Sequence, residues 1–138
     1  MTIKETITVE TLVNAPIDKV WEFWTKPEHV TKWIHASKDW HTTRAQNDLR
    51  IGGQFLARME AKDGSSGFDF DGIYTEVIPN EKISYTLLDD RKVIITFFQT
   101  DNGVQLIETF EAETENTLEL QKFGWQAILN NFKNYVEK

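Results

Sequence analysis

With 138 residues, 40% of them hydrophobic and 27% charged, the chain has the size and make-up of one globular domain spanning residues 1–138. A domain of this length buries roughly two-thirds of its unfolded surface, enough for a core without disulfides or a structural metal. The absence of cysteine excludes thiolate metal sites and thiol nucleophiles and suits a reducing cytoplasm, while a formal net charge of −7 repels phosphate backbones and anionic membranes. Nucleic acid and membrane are therefore not expected partners, and the acidity reads as solubility. The opening MTIKETITVETL carries acids where a signal peptide needs a basic start and an unbroken apolar run, and no segment approaches membrane-spanning length.

A first strand is predicted over about Thr6 to Val13, where Ile7 and Val9 alternate with threonines. Pro16 suits a first helical position, and Val20, Trp21 and Trp24 follow at helical spacing until Pro27 stops the helix. A second short helix runs from Pro27 to about Trp33, with Val30, Trp33 and Ile34 as its apolar stripe. Period two then takes over. Strands are predicted near Thr42–Asn47, Gln54–Ala61, Phe68–Ile78, Ile83–Leu88, Val93–Gln99 and Val104–Ala112, separated by turn-rich segments, as in an antiparallel meander. The last segment returns to helical spacing: Asn116 is the expected cap with Glu119 as its capping-box partner, and Trp125, Ile128, Leu129, Phe132 and Tyr135/Val136 line one face. That face is too broad and aromatic for a free surface helix, so the sheet must cover it.

This order predicts an α+β helix-grip fold: a curved antiparallel sheet of six to seven strands wrapped on a long C-terminal helix, with an apolar cavity between them. Taking Tyr85 as inward turns Ile83 and Leu87 inward and Ser84 and Thr86 outward. On the following strands Val93, Ile95 and Phe97 face in, then Val104, Leu106, Glu108 and Phe110. Glu108 thus falls on the apolar face. It is either a polar contact for a ligand near Tyr85, Gln121 or Trp125, or is returned to water by a bulge or strand end. His35, Trp40 and His41 occupy the connection after the second helix, at the expected pocket mouth, as ligand contacts or as an ordinary exposed loop anchored by one tryptophan.

Other chemistries find no support. His29, His35 and His41 recur every six residues without a metal-binding motif, and no GxSxG elbow or phosphate loop is present. Asp69 and Asp71 alternate with Phe68 and Phe70, the pattern of one wet strand face rather than of an acid–base pair. The Gly52-Gly53 pair in IGGQF reads as a tight turn or bulge into a strand. No cofactor is expected.

Four segments, NAPIDKVWEFWTKPEHVTKWI, IGGQF, FDGIYTEVIPNEKISYT and GWQAILNNFKNYVEK, occur in an order and spacing that resembles the START-like (SRPBCC) superfamily. Within it, the chain is similar to the family named for the C-terminal domain of the activator of the heat-shock-protein-90 ATPase. The resemblance implies the helix-grip fold. It does not fix function, because the superfamily includes lipid carriers, polyketide cyclases, oxygenase domains and hormone receptors. The eukaryotic activators pair this domain with a separate N-terminal one, for which this chain has no room.

The leading expectation is a cytoplasmic binding protein, monomer or homodimer, that encloses a small hydrophobic molecule between Tyr74, Tyr85, Phe97, Leu106 and the helix residues Trp125, Leu129 and Phe132. The alternative is a protein-interaction module, with a chaperone or another protein docking on the pocket rim or around Trp21 and Trp24. A cyclase-like enzyme using Glu108 or His35 as acid–base is the third reading.

Overall fold

The computed structural model describes residues 5–138. Strand β1 (Thr6–Val13) leads into helices α1 (Ile17–Thr25) and α2 (Pro27–Trp33). A meander follows of β2 (Trp40–Asn47), β3 (Gln54–Ala61), β4 (Gly67–Ile78), β5 (Lys82–Leu87), β6 (Lys92–Thr100) and β7 (Gly103–Glu111). The chain closes with α3 (Leu118–Glu137). The seven strands form one antiparallel sheet in the order β1-β7-β6-β5-β4-β3-β2. Strands β1 and β2 are consecutive in sequence yet lie at opposite edges, so α1 and α2 carry the chain across the sheet's end.

Pro16 is the cap of α1 rather than its first residue, and Pro27 opens α2 at N1, where its missing N–H costs nothing. Two predicted boundaries are corrected. Trp40 and His41 belong to β2, not to the preceding loop, because Trp40 pairs with Ala61 and His41 with Glu60. Thr117, not Asn116, caps α3: its Oγ1 accepts the Leu120 N–H at 3.1 Å, while Asn116 is held by the Glu113 carboxylate through its backbone N–H at 2.7 Å. No capping box with Glu119 is made.

Alternation sorts the sheet as predicted on β5 to β7. Ile83, Tyr85, Leu87, Val93, Ile95, Phe97, Val104, Leu106, Glu108 and Phe110 are all buried, whereas Ile94 and Phe98 are 41% and 52% exposed on the other face. Ser84 points to that outer face but is nonetheless buried, a small side chain between its cross-strand neighbours Glu76 and Ile94.

Helix α3 is fastened along β1. The Lys133 ammonium donates to the Leu12 carbonyl and to Glu137, the Gln126 amide donates to the Glu10 carbonyl, and the Asn14 N–H donates to Glu137. Asn131 ties the helix to the end of α2 through the His35 carbonyl at 2.6 Å. Beneath the C-terminal half of α3, Trp24, Trp33 and Phe132 pack with ring centroids 4.7 to 4.9 Å apart, and Phe97 meets Trp21 and Trp24 edge-on. Trp21 and Trp24 are thus partly buried and pack against the core. Large apolar rings in such contact contribute stability beyond the area they bury. This end of the grip is solid.

Candidate functional site

The other end is not. Between the N-terminal half of α3 and the concave face of β2 to β5 lies a cavity of about 340 Å³. Gly72 makes room for its wall. A Cβ there would lie 2.6 Å from the Thr86 carbonyl oxygen and 3.1 Å from the Phe55 ring, so only glycine lets that ring lie across β4. Phe55 then meets Tyr85 at 4.5 Å, Tyr74 at 5.4 Å and Phe70 at 5.7 Å between centroids. Phe70 continues to Trp125 of α3 at 5.9 Å, and Trp125 stacks on Phe110. Edge-to-face, tilted and stacked in turn, these rings form one continuous wall.

The IGGQF turn positions Tyr74. Gly52 has φ of 85°, a Cβ on Gly53 would collide with the Asp48 carbonyl, and the two glycines exchange backbone hydrogen bonds with Tyr74. The Tyr74 hydroxyl in turn donates to the Asn47 Oδ1 at 2.6 Å, and Asn47 donates to the Thr25 carbonyl. Burial pushes the Tyr74 phenol well above its ordinary range, so it stays a neutral donor.

Polar groups on the lining divide into those already committed and those that are not. Gln121 is committed. Its Oε1 accepts the Glu113 N–H at 2.9 Å and its Nε2 donates to the Glu113 and Asn116 carbonyls, fastening the β7–α3 connection. Glu113 holds Asn116, and the Arg91 Nε donates to Asp89 at 2.7 Å. Glu108 is different. It is 6% exposed, lines the cavity, and its carboxyl has no hydrogen-bond partner among the described residues. Its cross-strand neighbours are Val9 and Ile95, both fully buried. Burial alone raises its pKa from 4.5 to about 8. The Tyr85 phenol beside it is also pushed up, first by burial and then by the Glu108 charge.

Of the residues singled out from the sequence, Tyr74, Tyr85, Glu108, Gln121 and Trp125 come together on this lining. Phe97, Leu106, Leu129 and Phe132 do not: they share the inward face but lie in the filled part of the core, outside the lining. His35, Trp40 and His41 also fall outside it. The buried Nδ1 of His35 has no partner among the described residues, and burial lowers the imidazole pKa, with Lys62 and His41 adding to the effect. The Trp40 ring packs 5.8 Å from Phe68, and His41 is exposed. Phe55, Phe70, Arg91 and Gly124 line the cavity without having been singled out. For Phe55 and Phe70 a signal existed, since both alternate in phase with the buried residues of their strands.

A grip sheet closed on a C-terminal helix, with this lining, can be compared with known proteins. Residues 14–137 match the family described as Activator of Hsp90 ATPase homolog 1-like protein. The chain belongs to that family. It is similar to the AHSA1-like protein from Aeromonas hydrophila, whose solution structure superposes with a TM-score of 0.91 at 44% identity over 96% of this chain and 92% of that one. A solution structure from Cytophaga hutchinsonii is 50% identical, with a TM-score of 0.80 over 97% of this chain and 92% of that one. A crystal structure from Chromobacterium violaceum, 26% identical, has a TM-score of 0.86 over 97% and 99% of the two chains. No curated protein matches. Within this Activator of Hsp90 ATPase homolog 1-like chain, no helix among the described residues is long and apolar enough to cross a membrane.

Proposed function

We propose that this chain is a cytoplasmic binding protein that encloses a small apolar or aromatic molecule between the sheet and the first half of α3. A single observation carries the reading: an aromatic-walled cavity of about 340 Å³ contains one buried carboxyl, Glu108, with no partner among the described residues. Ligand pockets combine such apolar walls with a few polar groups that orient the guest, and this volume is at the small end of their roughly 300–1,000 Å³ range. An unpaired buried carboxyl weakens the fold, and a ligand that pairs with it turns that cost into affinity.

The test is a panel of small aromatic and aliphatic compounds, read by melting temperature and tryptophan emission. A ligand that binds only the native state raises stability, by about 2.7 kcal/mol at a hundred times its dissociation constant. Binding in the cavity also quenches Trp125. If no compound changes either signal, the reading is wrong.

A second reading, docking to a chaperone or another protein, draws on the family's description and on Leu118, Leu120 and Phe123, which stand 46%, 57% and 75% exposed at the start of α3. Its test is pull-down with the ATPase chaperone and measurement of the ATPase rate. The absence of both retention and a rate change would dismiss it.

A further inference from the structure

We propose that the molecule this cavity receives is an organic amine: an aromatic or aliphatic body carrying one ammonium group, which seats against the Glu108 carboxylate. The inference rests on the ligand-binding reading above and names the chemistry of the guest.

A carboxyl that is 6% exposed and has no partner among the described residues has two ways to avoid an uncompensated charge. It can hold a proton, or it can meet a cation. Among the described residues, no free cation reaches it. The strands on either side present Val9 and Ile95. From α1, α2 and β3 the lining offers Trp24, Val30, Trp33, Phe55, Ala57 and Met59, none of which is charged.

The titratable groups on the lining are few. Tyr74 from β4 and Tyr85 from β5 are phenols held neutral by burial. Arg91, in the β5–β6 turn, has its Nε on Asp89. Glu113, in the connection to α3, is a second carboxylate. Glu113 is committed to Asn116 and Arg91 to Asp89, so Glu108 is the uncommitted carboxyl on the lining among the described residues.

The ring wall agrees with a cationic guest. Phe55, Phe70, Tyr85 and Trp125 meet at angles of 52 to 86°, so their faces turn in several directions, and aromatic faces attract an ammonium within about 6 Å, more strongly once water is excluded. A carboxylate with several rings about it is the chemistry that recognises an amine over an alcohol or an acid.

Proton balance makes the proposal measurable. Free Glu108, with its pKa near 8, is mostly protonated at neutral pH. When R–NH₃⁺ binds, the carboxyl gives its proton to the buffer and the carboxylate pairs with the ammonium, so one proton is released for each amine bound. A neutral alcohol releases none.

Calorimetry on the full chain with phenylbutylamine, phenylbutanol and phenylbutyrate tests this, because the three share one apolar body and differ in head group. The amine is expected to bind about tenfold or more tightly than the alcohol, with the acid weakest. Its binding enthalpy should change between buffers of different ionisation heat by the amount one released proton requires. Glu108→Gln, which preserves shape, should abolish the proton release and bring the amine to the alcohol's affinity. The head-group series on the unmutated chain answers the question even if that variant folds poorly.

Alcohol binding equal to or tighter than amine binding, or amine binding without proton release, overturns the amine class and leaves the cavity reading standing. Failure of all three also overturns it. The broader panel described above then decides whether the cavity reading falls too.

Discussion

Phe110 of β7 and Trp125 of α3 lie face to face, their ring centroids 3.8 Å apart and their planes within 10° of parallel. The pair is the only ring-on-ring stack between sheet and α3 found among the described residues, and it stands where the filled core gives way to the cavity. Trp125 thus both anchors the helix and closes one wall. Trp125→Ala should cost about 2–3 kcal/mol in urea unfolding, less than a fully buried tryptophan because this one is half-buried. Trp125→Phe, which preserves a ring over Phe110, should recover most of that loss.

Gly124 stands in the middle of α3, where glycine weakens a helix by about 1 kcal/mol relative to alanine. A Cβ built there meets nothing within 4 Å, and the position lines the cavity. Packing does not require glycine here. Space for the proposed guest would. Gly124→Ala should stabilise the chain by about 1 kcal/mol. Gly124→Leu should leave the melting temperature at or above that of the parent while abolishing the stabilisation given by any cavity ligand. If Gly124→Leu still responds to such a ligand, the guest does not sit beneath this helix.

Much of the fold was legible because period two and period 3.6 alternate cleanly along the chain. The inward set on β5 to β7, including Glu108, follows from fixing one residue, Tyr85. The boundaries that moved have local causes. Asn116 and Thr117 are both good caps, and the contact of Asn116 with Glu113, three residues earlier, leaves Thr117 to do the capping. Trp40 and His41 join β2 because the ladder to β3 extends to Ala61, which no apolar alternation at WHTT announces.

The cavity was legible by face but not by position. Phe97, Leu106, Leu129 and Phe132 point the same way as Tyr85 and Trp125, yet α1 and α2 bring Trp21, Trp24 and Trp33 down on that end and fill it. Periodicity reports which way a side chain points. How far along the groove the rings run out depends on where the two crossing helices land, and that is a long-range property.

Glu108 offers the last prediction, through its effect on stability. Its pKa is about 8 in the folded chain and close to 4.5 when exposed. Below the lower value both states hold the proton and stability is insensitive to this group. Between the two values the folded state holds a proton that the unfolded state has lost, so stability falls as pH rises, by about 1.4 kcal/mol per pH unit at most. The loss across the window is on the order of 5 kcal/mol. Above the higher value it levels off. Glu108→Gln removes the titration, so its unfolding free energy should be less dependent on pH than the parent's through this window, and the variant should gain on the parent steadily from mildly acidic to mildly alkaline solution. Chemical denaturation of the two chains at a series of pH values measures the difference directly. Parallel curves would mean that Glu108 is not the isolated carboxyl described here.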